Sequence, residues 1–134
     1  MRVNGTFEVA DFTPAQVPAP DIKTGLPVGV ATMRKTFAGG VSGRSVTIFS
    51  AAYDPATDTG TYVAMESFEG SLDGKPGAFN FAHSATTEGA GGGADYLVIV
   101  PASGTGALAG IRGTGGLDIV ADGTHRIWFD YELG

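Results

Sequence analysis

The chain reads as an all-β protein of eight antiparallel strands in one domain spanning 1–134, an open sandwich or a closed up-and-down β-barrel, and three observations carry that reading. Period-two alternation of apolar and polar residues recurs, most plainly in RIWFDYEL, where Ile127, Phe129, Tyr131 and Leu133 oppose Trp128, Asp130 and Glu132. No stretch free of Gly and Pro sustains the i, i+3, i+4 apolar spacing of an amphipathic helix. Glycine, 22 of the 134 residues, is spread between apolar stretches, as many short strands with tight turns require.

The elements follow in order. The alternating start RVNGTFEVADF gives a strand over Val3–Phe12, ended by the proline-rich crossing TPAQVPAPDIKTGLP. Val28–Ala38 is followed by the glycine turn GGVSG and by Arg44–Tyr53, which contains VTIFSAAY. DPATDTG turns the chain into Gly60–Leu72, and LDGKPG turns it again into Ala78–Thr87. EGAGGGAD reads as a glycine hairpin loop before the apolar run of Asp95–Val100. A glycine-rich segment leads to Gly110–Val120, and the Asp-Gly of ADGTH, a dipeptide favoured in two-residue hairpins, leads to His125–Leu133. Such short sequential connections favour neighbours pairing in chain order, and closing the ring removes the exposed edges. An eight-stranded barrel is just wide enough to be filled by side chains or to hold one small ligand.

Fourteen acidic against eight basic residues give a net charge of −6, with no Lys/Arg cluster beyond the pair Arg34-Lys35. A basic footprint for nucleic acid or an anionic membrane is missing, so neither is expected as a partner. The absence of cysteine removes disulfides, thiolate metal sites and thiol nucleophiles. The charged, alternating N-terminus lacks the apolar core of a signal peptide, and no run is long enough to span a bilayer, so the expected location is cytoplasmic.

The segment GTGALAGIRGTGG, Gly104 to Gly116, approaches a dinucleotide-binding fingerprint and follows the apolar run YLVIVP. That fingerprint requires a helix to begin within the glycines, because the helix N-terminus holds the pyrophosphate. Gly110, Gly113, Gly115 and Gly116 would each destabilise such a helix by about 1 kcal/mol, so the segment reads as tight turns and close strand packing. His83 and His125 do not sit in a ligand-spaced motif, and neither a metal nor an organic cofactor is expected. His125, beside the Asp-Gly turn, reads as solvent-exposed. No G-x-S-x-G elbow is present.

Two ionisable residues stand out. His83 shares a strand face with Phe79 and Phe81 in GAFNFAHSA, either as a satisfied core group or as a proton-transfer group, histidine being the side-chain type suited to that role near neutral pH. Glu66 shares a face with Tyr62, Ala64 and Phe68 in TYVAMESFEGSL. Either it is inward, buried and partnered, or the faces are reversed and Val63 and Met65 point inward. Arg34 and Arg112 are further carboxylate or oxyanion partners, or else structural salt-bridge donors.

The segments KTFAGGVSGRSV, YVAMESFEGSLDGKPGAFNFAHS and VPASGTGALAGIRGTGGL, followed by FDYEL, resemble a family of small bacterial proteins of unknown function with an allene oxide cyclase-like barrel. The resemblance runs from Gly5 to Leu133 and implies a compact eight-stranded antiparallel barrel, with the family-like acid and histidine at Glu66 and His83. The wider set of such barrels holds reactive small molecules in shaped apolar cavities, where orientation and exclusion of water do much of the catalysis. The resemblance thus implies a small-molecule-binding barrel, a cofactor-independent cyclase or isomerase for an apolar, polyketide-like or lipid-like substrate. Glu66 and His83 would be its catalytic residues, with Tyr62, Phe79, Phe81, Trp128 and Arg34 in substrate contact. Trp128 is the weakest of these, since alternation sets it opposite Phe129. A non-catalytic carrier or sensor of a hydrophobic ligand is the alternative, and a filled barrel acting through a homo-oligomer interface is a third reading.

Overall fold

The computed structural model describes residues 1–18, 21–89 and 95–134. Eight strands form a closed antiparallel barrel in chain order: β1 (Arg2–Ala15), β2 (Val28–Gly39), β3 (Val41–Asp54), β4 (Thr59–Leu72), β5 (Lys75–Glu88), β6 (Asp95–Ile99), β7 (Ile111–Ile119) and β8 (His125–Leu133). β8 pairs back onto β1, with Val3 opposite Phe129 and Phe7 opposite His125, and so closes the ring. The seam between β6 and β7 is the thinnest, with Val98 opposite Thr114 as its paired position. Most of the expected glycine hairpin loop between β5 and β6 lies outside the described residues.

The turn chemistry acts where the sequence places it. Between β4 and β5 the turn contracts to Asp73-Gly74, both with positive φ (50° and 79°), the conformation in which an Asp-Gly pair matches the twist of a hairpin. In the glycine-rich segment a single 3-10 turn, Gly106–Leu108, precedes Gly110, whose φ of 81° starts β7 in a conformation that disfavours other residues. The proline-rich crossing begins later than expected because β1 runs on to Ala15, past a bulge between Ala10 and Thr13. Asp11, with φ of 56°, and Phe12 together oppose Met33 there, so Pro14 stays aligned with Ala31.

The core occupies one end of the barrel. Phe37, Phe68, Phe79, Phe81 and Phe129 form a chain of ring contacts with centroids 5.2–6.0 Å apart. Val41, Leu72, Leu108 and Ile111, all fully buried, finish that end, with Leu108 carried in by the 3-10 turn. Fully burying each such side chain contributes about 1.5–3 kcal/mol.

The inner faces of β3 and β4 do not follow hydrophobicity alone. In β3, Ser45 and Thr47 are buried while Val46 and Ile48 face outward. In β4, Ala64, Glu66 and Phe68 are buried while Val63 and Met65 face outward. Of the two orientations open for β4, the structure adopts the one with Glu66 inside.

Candidate functional site

Toward the other end, many inward positions hold small residues, Gly29 and Ala31 on β2, Ala51 on β3, Gly60 and Ala64 on β4, Ala85 on β5, set among larger ones such as Met33, Phe49 and Tyr53. The space they leave is a cavity of about 760 Å³ whose wall is overwhelmingly apolar. Phe12 of the β1 bulge lies against Phe49, with ring centroids 5.7 Å apart, and forms one side of its mouth.

Where the cavity meets the packed core, cross-strand register assembles a polar cluster. Lys35 lies opposite Ser45, Thr47 opposite Glu66, and Ala64 opposite His83. Glu66 is completely buried and engaged by three donors. Lys35 Nζ reaches its Oε2 at 2.9 Å, His83 Nε2 reaches the same oxygen at 2.6 Å, and Ser45 Oγ donates to Oε1 at 2.7 Å. Burial pushes the Glu66 carboxyl up, but the His83 hydrogen bond, the Lys35 charge and the Ser45 hydroxyl outweigh it and hold it below the ordinary carboxylate range. The group is an anion.

An ionised carboxylate can only accept, so the proton on His83 Nε2 points at Glu66. The other nitrogen, Nδ1, lies 2.9 Å from the Tyr62 hydroxyl; it accepts from Tyr62 when the ring is neutral and donates to it when the ring is charged. Tyr62, His83 and Glu66 thus form a continuous hydrogen-bonded chain from the cavity wall to a buried anion. Lys35 Nζ also lies 4.7 Å from the centre of the Phe7 ring, a favourable cation–π position. Thr47 is 1% exposed and lines the cavity, and its Oγ1 has no hydrogen-bond partner among the described residues.

Of the residues expected from sequence, Glu66, His83 and Tyr62 are brought together here. Glu66 lies behind the cavity wall, whereas His83 and Tyr62 line it. Phe79 and Phe81 are inside but belong to the packed core, and Phe81 stacks beneath His83 with centroids 5.8 Å apart. Trp128 and Arg34 are on the outer face, Trp128 covering Gly116 beside Arg2, and neither lines the cavity. His125, expected to be solvent-exposed, is half-buried at the mouth with its ring edge-on to Phe7, because its backbone pairs directly opposite that residue.

Sequence reasoning missed Lys35, Ser45 and Thr47. A signal for Lys35 was present: it shares the face of Ala31, Met33 and Phe37, an apolar face on which a lysine needs a buried partner. β3 offered none, since its outward residues are the more apolar set.

The fold and site together define a closed eight-stranded antiparallel barrel, packed at one end and hollow at the other, with an ion cluster at the junction. The model of a family described as "Protein of unknown function (DUF3224)" matches residues 3–131, and the chain belongs to that family. It is similar to a solved structure of a DUF3224 protein of unknown function from Shewanella oneidensis MR-1. The identity is 30% and the TM-score 0.86, with 100% of this chain and 97% of that chain covered. No curated protein matches the chain.

Proposed function

We propose that the protein binds an apolar small molecule in the barrel cavity, with the body of the ligand toward the mouth and its polar end at the Lys35–His83–Tyr62 cluster. The observation that carries this reading is the cavity itself, whose volume of about 760 Å³ falls within the 300–1,000 Å³ range of small-molecule sites. Its wall is apolar except for a few convergent polar groups, as such sites require. The Tyr62–His83–Glu66 chain equips the site for proton transfer without a cofactor, the chemistry of an isomerase or cyclase. The allene oxide cyclase-like resemblance agrees with that assignment. In it, Tyr62 and His83 face the ligand, and Glu66 fixes the histidine and balances the lysine.

The alternative is a carrier or sensor, favoured by one observation: all three groups on the Glu66 carboxylate are protein donors, which suits a fixed scaffold. Both readings require occupancy of the cavity. Titration with the apolar fluorophore N-phenyl-1-naphthylamine should show one saturable site, weakened in Ala51→Trp, where the indole takes up part of the cavity. Equal binding by wild type and a folded Ala51→Trp variant would refute the assignment. On a polyene or epoxide substrate, Tyr62→Phe and His83→Ala should lower turnover while leaving binding in place; a carrier would show binding and no turnover in wild type.

A further inference from the structure

Resting on that binding site, we infer that its ligand carries an uncharged carbonyl oxygen, a ketone, enone or ester, held jointly by the Thr47 hydroxyl and the Lys35 ammonium. Thr47 supplies the first argument. A buried hydroxyl normally has a partner, and this one, sealed within a residue that lines the cavity beside the ion cluster, has none among the described residues. An acceptor atom on the ligand would satisfy it once the Thr47 side chain turns toward the cavity.

Lys35 supplies the second. An ammonium has three protons and no lone pair, and the hydrogen bond to Glu66 uses one of them. Lys35 also lines the cavity, and Thr47 is next to its cross-strand neighbour Ser45 along the inner face of β3. Donors therefore converge on this end, while the strongest acceptor, Glu66, is behind the wall and already takes three hydrogen bonds. An sp² oxygen, with two lone pairs and no proton to place, meets the demand of both donors.

Charge supplies the third. Lys35 and Glu66 already neutralise one another at 2.9 Å, so a carboxylate head group would arrive in an apolar cavity without a full counter-charge. A neutral acceptor avoids that penalty, and the apolar wall suits the rest of the molecule.

The test uses a matched pair of fluorophores, 6-propionyl-2-dimethylaminonaphthalene, a ketone, and 6-propyl-2-dimethylaminonaphthalene, which lacks the oxygen. Wild type should prefer the ketone by roughly tenfold, about what one well-made hydrogen bond contributes. The infrared carbonyl stretch of the bound ketone should move to lower frequency than in hexane. Thr47→Val, close in shape and unable to donate, should reduce the preference and reverse part of the infrared shift, the Lys35 share remaining, and leave the propyl probe's affinity unchanged. Two outcomes overturn the inference while leaving the binding site intact: equal affinity for both probes in wild type, or an unchanged ketone preference in Thr47→Val. Binding of neither probe would remove the site and the inference together. Thr47→Val loses no protein hydrogen bond, so its folding is secure where Lys35→Met would disturb the ion cluster.

Discussion

Replacing Glu66 by glutamine should expose how much stability the buried ion cluster holds in balance. The substitution keeps the shape and leaves an amide oxygen for Ser45, but it removes the charge opposite Lys35, which is 5% exposed and 2.9 Å away. The amide group also turns donors toward His83 Nε2 and Lys35 Nζ, which are themselves donors in the native arrangement. Breaking a buried pair by removing one partner destabilises by about 3–5 kcal/mol, because the remaining charge is stranded in a poorly solvating site. For a chain of this length that corresponds to a fall in melting temperature of roughly 10–20 °C. Urea denaturation followed by tryptophan fluorescence and far-ultraviolet circular dichroism measures it, with an unchanged m-value showing that the folded state persists. A double-mutant cycle with Lys35→Met isolates the pair. Removing both charges should recover at least half of the loss, since no unpaired ion remains. A Glu66→Gln loss below about 1 kcal/mol, or a double variant as unstable as the sum of the two single ones, would refute the claim that these charges depend on each other.

The remaining predictions concern neighbouring groups. Thr47→Val should raise the stability of the ligand-free protein by about 1–2 kcal/mol, since it replaces an unpartnered buried hydroxyl with a methyl group; a lower melting temperature would contradict the assignment. The folded-state value of Glu66 lies below its ordinary value of 4.5, so the native state binds fewer protons than the unfolded chain between the two. Its contribution is complete above the ordinary value and lost as pH falls through the folded one, so the acid limb of a stability–pH curve should be shallower in Glu66→Gln than in wild type. Phe81→Ala, in the packed core, should destabilise by about 3–5 kcal/mol in a urea titration, whereas Trp128→Phe on the outer face should leave apolar-probe affinity unchanged.

The barrel was legible because its rules are local. Alternation in β8 and the Asp-Gly and glycine turns each speak about a few adjacent residues, and chain-order pairing then leaves little else for eight strands to do. The first strand's end was misjudged because the extra residue of the bulge, Asp11, breaks the period just where Phe12 and Pro14 line the edge of the cavity. The site was only half legible. Glu66 and His83 betray themselves as ionisable residues on apolar faces, but the identity of their partners depends on which residues stand opposite one another across strands. That register is long-range: Lys35 and Glu66 are 31 positions apart and join through β3, whose inner face is the more polar one. Counting Lys35 with Arg34 as a basic pair hid the fact that successive residues on a strand point to opposite sides.

Closing the ring at one end with Leu108 and the phenylalanine cluster makes the hollow end a cup instead of a tunnel. Under the proposed reading, a ligand would enter and leave by the same side, and one occupant would have to leave before another could enter. Nothing can be threaded through, so a polymer could present only a terminus, and any molecule longer than the cup would protrude past Phe12 into solvent.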